Sequence, residues 1–414
     1  MKKLTVVDLF AGCGGLSLGL EQAGFQSVYV NELNNDAMES YLINRDLENP
    51  YLRERFHSND VKSMILDKKY IPNLSKDLKN TYNLDVKSGE LDLIVGGPPC
   101  QGYSGIGHRR SYSVNKEQIP SNFLYQDMAY LISKLQPKIF LFENVRGLLS
   151  GRWKRGGEKG EIWSDVLETF NSLKGYQTSW KLVKAKDYGV PQNRPRVLLV
   201  GVRNDIRLKN IKSKTADGFL PDPSGTPPDP VDILSDLIDP NYKKKKFNEK
   251  YVKDPRSDYQ KSLRRKNKVL LKKGSELTEQ EYSSHSEKIE KKFQFMIDNN
   301  GNIPEEMRTK KFSQRLIPKR WDESGPNITA TSLPDDYVHY AQPRILTVRE
   351  WARLQMFPDW YKFAGKRTTG GSRRAGNPRK NNFDRELPKY TQIGNAVPVG
   401  LANKVGNHFK EILN

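Results

Sequence analysis

Cysteine is nearly absent from this 414-residue chain, which holds two, Cys13 and Cys100. Two thiols give no disulfide framework, and five scattered histidines without a Cys-x-x-Cys pair give no zinc site, so no metal is expected. No apolar stretch reaches membrane length, no secretory signal is evident and no internal repeat stands out, which points to a reducing, soluble, cytoplasmic setting without membrane contact. Acidic residues are also in short supply. Against 69 Lys and Arg there are 49 Asp and Glu, and the resulting net charge of +20 is the footprint of a polyanionic partner. What the chain does have is apolar content, 36% of its residues, ample for a packed core and, at this length, for two or three domains.

The basic excess is local. Tyr242 to Lys273 carries 14 Lys and Arg against 3 acids, and Lys362 to Lys389 carries nine against two. Such runs are either solvated faces or phosphate-contacting surfaces.

Strand and helix signals alternate from residue 4 to about 203, the pattern of a mostly parallel sheet. Leu91 to Val95 reads as a short buried strand that Gly96-Gly97-Pro98-Pro99 stops just before Cys100. A thiol there is either a nucleophile presented on a turn or a small hydrophobe at a strand end. Leu4 to Phe10 is a strand, Ala11-Gly12-Cys13-Gly14-Gly15 a glycine turn, and Leu16 to Ala23 a helix, in the order of a nucleotide-binding βα unit. The Gly-x-Gly-Gly spacing lacks the dinucleotide fingerprint, so no pyrophosphate cradle is indicated. Val28 to Glu32 is a second strand, whose terminal carboxylate lies where such folds hold a ribose. Pro137 to Val145 is an apolar strand ending in Glu143-Asn144, and Gln192-Asn193-Arg194-Pro195-Arg196 leads into a strand from Val197 to Val202. A thiol, an acid and paired arginines at the ends of successive strands point to a site at the carboxyl edge of an open sheet.

With these blocks in order, Asp8 to Gly15, Asn31-Glu32, Asn59-Asp60-Val61, Gly97 to Ser104, Glu143 to Val145, Gln192 to Arg196, Arg344 to Trp360 and Tyr390 to Pro398, the chain resembles the DNA (cytosine-5)-methyltransferases of bacterial restriction–modification systems. The resemblance implies an α/β fold, a Rossmann-like S-adenosylmethionine-dependent methyltransferase sheet with a smaller target-recognition domain. It implies a catalytic and donor-binding domain at 1–203, target recognition at 204–343, a hinge and basic insertion at 344–389, and a return to the first domain at 390–414. The implied donor, S-adenosylmethionine, would meet Phe10, Gly12, Gly14, Gly15, Glu32, Asp60, Val61, Pro99 and Asn395; Leu33 stands where an aromatic is common in the family.

The implied chemistry explains these residue types. Cytosine C5 is a weak nucleophile until a thiolate, Cys100, adds to C6. Glu143 is expected to serve N3 with a protonated carboxyl, Arg196 to meet O2, and Arg194 to stand nearby as support. The cytosine must flip out of the duplex, and the Gly/Ser-rich loop from Gln101 to about Pro120 is expected to close over it. The implied partners are double-stranded DNA and a restriction endonuclease acting on the same site, with the enzyme itself a monomer. Two other readings remain: a tRNA cytosine-5 methyltransferase, which typically carries a Cys-Phe-Thr tripeptide absent from residues 204–343, and a non-catalytic nucleic-acid binder. Farther along, Pro221 to Pro230 reads as a linker, Ser275 to Ile297 as a charged helix, and Gly365 to Pro388 as an insertion that either faces DNA or is disordered.

Overall fold

The computed structural model describes residues 3–99, 120–154, 156–207, 218–308, 314–322, 325–328, 336–369, 373 and 386–414. Within them lies a seven-stranded sheet of β1 (Leu4–Leu9), β2 (Phe25–Asn31), β3 (His57–Ser58), β4 (Leu93–Gly96), β5 (Ile139–Val145), β6 (Tyr176–Lys184) and β7 (Pro195–Arg203). Its spatial order is β3-β2-β1-β4-β5-β7-β6, with the first five parallel and β7 antiparallel to both its neighbours.

The apolar runs are continuous because both faces of the sheet are covered. Val7, Leu9, Ile94, Phe140 and Phe142 point into one core, and Val6, Leu93, Val95, Ile139 and Leu141 into the other, as the two-residue strand period requires. Helices Asn35–Ile43, Leu124–Leu135 and Glu161–Asn171 cover the first face. Helices Gly15–Ala23 and Val399–Leu413 cover the second. That helix pair packs closely through small residues. A Cβ on Gly19 would lie 2.4 Å from the Ala402 Cβ, and one on Gly406 would lie 2.9 Å from that of Ala23.

From β1 the chain steps outward to β2 and β3, and it later returns on the other side of β1 as β4 and β5. The sheet therefore has its switch point between β1 and β4, where ligands of open α/β sheets collect beyond the carboxyl ends. Leu9 is paired with Gly96, so the turns after β1 and β4 open side by side.

Residues 218–369 are built differently. Their strands are two-residue pairs, β8 (Arg265–Lys266) with β9 (Val269–Leu270) and β10 (Arg315–Leu316) with β11 (Tyr337–Val338). Arg264, Arg344, Arg349 and Arg353 are fully buried among aromatics. Arg353 bridges Asp236 and Asp359, each at 2.5 Å, Arg264 shares Asp236 at 3.0 Å, and Arg344 pairs with Glu350 at 2.6 Å. The helix expected over Ser275 to Ile297 begins only at Glu287 and runs to Asp298. Upstream, Glu276 and Glu281 form antiparallel bridges with Lys250 and Phe247, and the Leu277 N–H donates to the Glu249 carbonyl, so those amides are already engaged across the chain. Pro221 to Asp229 has no regular structure, and Pro230 opens helix Pro230–Leu234. Cys100, residues 101–119 and most of 365–388 lie outside the described residues. Among the described residues no helix is long and apolar enough to cross a membrane.

Candidate active site

The turn after β1 is held from several sides. Phe10, Gly12 and Gly14 all adopt positive φ, at 57°, 56° and 83°. At Gly14 a side chain would also collide with the Tyr361 hydroxyl and the Tyr41 ring, both 2.8 Å from an ideal Cβ, so only glycine fits. Gly15 opens the helix against the Val397 carbonyl, 2.5 Å from where its Cβ would stand. Space above Gly12 is open, with no atom within 4 Å of an added Cβ.

Glu32, just beyond β2, accepts hydrogen bonds from the Gly12 N–H and the Asn34 N–H, both 2.8 Å. Burial raises its carboxyl pKa and these two N–H groups oppose the rise. Next to it, the Asn31 amide donates to the Ser58 and Asn59 carbonyls, while Asp60 accepts from the Lys62 N–H at 2.9 Å and so caps helix Val61–Leu66. Val61 is buried beneath that cap, and Leu33 is 73% exposed. The expected donor-site residues Phe10, Gly12, Gly14, Gly15, Glu32, Asp60 and Val61 therefore gather along the carboxyl edge of β1–β3. From the far end of the chain, Ala396 and Val397 arrive against Gly15, while the Asn395 side chain is exposed and its carbonyl faces Arg194.

Across the switch point, Gly97 to Pro99 extend β4. A Cβ on Gly97 would lie 2.7 Å from Glu143 Oε2, so the carboxyl group rests on bare backbone. Glu143 belongs to β5 and Arg196 to β7. Register pairs Val145 with Arg196 and Glu143 with Leu198, so both side chains project from the same face, where Arg196 Nε lies 2.6 Å from Glu143 Oε1. Burial lowers the Arg196 pKa and Glu143 counteracts it. Asn144, on the opposite face of β5, donates from Nδ2 to the Pro98 carbonyl at 3.1 Å and accepts from the Val145 N–H at 2.9 Å, fixing the backbone that leads into Cys100. Pro99 itself is exposed.

Arg194 is fully buried two residues before Arg196, and its guanidinium donates to main-chain carbonyls: Ile328, Gly394 at 2.7 Å and Ala396 at 3.0 Å. Among the described residues its side-chain hydrogen bonds all go to backbone carbonyls. Asn144 and Gln192 stand inside quoted motifs without an expected role of their own, and the buried Gln355 lies unremarked within the Arg344 to Trp360 block. Asn144 could have been found from its place beside Glu143, whereas nothing in the local pattern marks Gln355.

A family model described as C-5 cytosine-specific DNA methylase matches residues 4–411. The chain is 31% identical over 417 residues to type II methyltransferase M.BspRI of Lysinibacillus sphaericus, covering 97% of this chain and 80% of that protein. It is 28% identical over 427 residues to type II methyltransferase M.DdeI of Desulfomicrobium norvegicum, covering 99% and 90%. Among solved structures, a DNA modification methyltransferase encoded within an Escherichia coli prophage shares the fold with a TM-score of 0.64 at 24% identity, covering 99% of each chain.

Proposed function

Because the chain belongs to the C-5 cytosine-specific DNA methylase family and is thus a DNA (cytosine-5)-methyltransferase, we propose that it methylates one flipped-out cytosine in a short duplex sequence through a covalent Cys100 adduct. The observation that carries this reading is the Glu143–Arg196 pair lying against the Gly97–Pro99 backbone, one strand from the glycine turn.

The donor side fits S-adenosylmethionine. Each Glu32 oxygen takes one backbone N–H and keeps capacity for a ribose hydroxyl, the space over Gly12 is open, and Leu33 offers exposed apolar surface beside it. Phe10, Asp60, Val61, Pro99 and Asn395 complete the set that would hold it. When bound, it supplies an electrophilic methyl group.

On the acceptor side, the flipped cytosine sets O2 against Arg196 and N3 against Glu143, opening their ion pair. Glu143 takes up a proton as the pair opens and delivers it to N3 while the Cys100 thiolate forms a bond to C6, and the C4–C5–C6 unit becomes an enamine with its nucleophilic carbon at C5. Once C5 carries the methyl group, loss of its proton drives the electron pair back and expels the thiolate, and N3 returns its proton to Glu143. Asn144 keeps the Pro98 carbonyl, and with it the approach of Cys100, in register. Residues 204–343 read the target, and the modification protects host DNA from an endonuclease of the same specificity in the cytoplasm.

Bisulfite sequencing of DNA from a host expressing the protein tests the reading. One short sequence should carry 5-methylcytosine at a fixed position. Methyl transfer to tRNA but not to duplex DNA would replace it.

A further inference from the structure

Arg194 is a buried cation with no carboxylate partner of its own among the described residues. A guanidinium stays charged in proteins, so its desolvation must be offset by acceptors of another kind. Those acceptors come from two distant parts of the chain. One nitrogen donates to the Ile328 carbonyl, and the other serves Gly394, Asn395 and Ala396 at 2.7, 3.3 and 3.0 Å. Gly394 to Ala396 end helix Lys389–Asn395, whose last carbonyls lack intrahelical partners and carry the negative end of the helix dipole, so a cation is favoured there.

The same joint is reinforced by two glutamines. Gln192 accepts from the Ile328 N–H at 3.2 Å and donates to Gln355 at 2.7 Å, and Gln355 donates to the Ile393 carbonyl at 2.7 Å. The Asn193 N–H donates to the Pro326 carbonyl at 2.9 Å. Residues 326–328, at the end of the region assigned to target reading, are thereby clamped to the strand that carries Arg196. The helix end is clamped to that strand too, and its continuation at Val397 forms the wall against Gly15. A displacement of residues 326–328 has a direct covalent and hydrogen-bonded route to the turn beneath the donor.

We propose that Arg194 is a positioning residue that couples target DNA binding to methyl-donor binding, with the carbonyls of Ile328 and Gly394–Ala396 as its two contacts. The proposal rests on the function argued above. Coupling of this kind is reciprocal and commonly amounts to about 5- to 150-fold in affinity.

The test is calorimetric titration of the wild type, Arg194→Lys and Arg194→Met with S-adenosylhomocysteine, with and without saturating duplex containing the methylated sequence. The wild type should bind the probe several-fold more tightly with DNA. Arg194→Met should bring that ratio close to one, and Arg194→Lys, which keeps the charge but is a point donor, should fall between. Gln192→Met, which cuts the Ile328 and Gln355 contacts, carries the same comparison should the Arg194 variants not fold. A ratio of one in the wild type, or a wild-type ratio in a folded variant, overturns the proposal. A wild type that binds neither the probe nor duplex DNA overturns the function argued above instead.

Discussion

The sheet and residues 218–369 solve the same problem, keeping a site rigid, with opposite materials. In the sheet, apolar side chains alternate between two cores, and Glu32, Glu143 and Arg196 stand near or just beyond strand ends. In residues 218–369, arginines fill the centre, compensated by Asp236, Asp359 and Glu350. An apolar core tolerates loss of one member gradually, whereas a buried ion network loses its compensation when one partner is removed. Precision therefore has a different vulnerability on each side of the molecule.

The largest expected effect falls on the sheet side. Cys100→Ser should abolish methyl transfer while donor binding persists, since a hydroxyl is far less acidic and less nucleophilic than a thiol. Duplex carrying 5-fluorocytosine at the target should trap the wild type covalently, and an adduct persisting in Cys100→Ser would sink the assignment. Next, Glu143→Gln keeps a hydrogen-bond donor but delivers no proton, so single-turnover rates should fall by roughly 10²–10⁴-fold with DNA affinity little changed. Unchanged turnover would remove Glu143 from the chemistry.

Asp236→Ala sharpens the contrast from the other side. It takes from Arg264 its carboxylate partner and leaves Arg353 with Asp359 alone, and about 3–5 kcal/mol of stability should disappear in urea unfolding. A loss below about 1 kcal/mol, the scale of a surface pair, would show that the network is not the keystone of its region.

Acid should act on the two halves with opposite sign. His339 is buried, and desolvation lowers its pKa from 6.5 to about 3, so between those values the unfolded chain holds the extra proton and stability falls as pH drops. Glu350 adds to this below about pH 4.5: burial raises its pKa, but Arg344 outweighs burial and holds it at about 2. Asp8, under the glycine turn, is raised from 3.8 to about 7 by burial, so its contribution is fullest below 3.8 and is lost as pH rises to about 7. Unfolding midpoints from pH 4 to 8 should lose the rising-pH decline in Asp8→Asn and the acid-side decline in His339→Asn. Profiles parallel to the wild type in both variants would show that neither group titrates as its burial implies.

The smallest effect concerns the lysine run. Lys243 pairs with Glu290 at 2.7 Å and Lys245 with Asp239 at 3.0 Å, whereas no acid is paired with Lys244 or Lys246 among the described residues. Neutralising Lys244 and Lys246 should flatten the salt dependence of DNA binding by about 0.9 in log–log slope per lost phosphate contact, equally for cognate and other duplexes. Neutralising Lys243 and Lys245 should leave it nearer the wild type.

The sheet was legible because short continuous apolar runs and abrupt Gly or Pro stops are local signals: β1, β2, β4, β5 and β7 fall within a few residues of the runs that announced them. The positions of Glu32, Glu143 and Arg196 followed from strand ends. The buried arginines were not legible, since Arg264 lies in a basic run that reads as an exposed surface, solvated or in contact with phosphates, until Asp236, 28 residues away, folds against it. The same holds for Ser275 to Ser286, whose helical pattern yields to pairing with residues 247–250, and for Gln355, whose partners stand far off in sequence. Compensation at long range leaves no trace in a short window.

The wall that Ala396 and Val397 raise against Gly15 has a consequence for biosynthesis. The Cys13 thiol meets the Gln392 carbonyl across 379 residues, so one pocket edge is finished by a segment translated long after it. A nascent chain that extends only through β7 lacks that edge, and Leu16 and Leu20 lack the helix that covers them. The edge is complete only once residues 389–413 have been made and packed against the sheet.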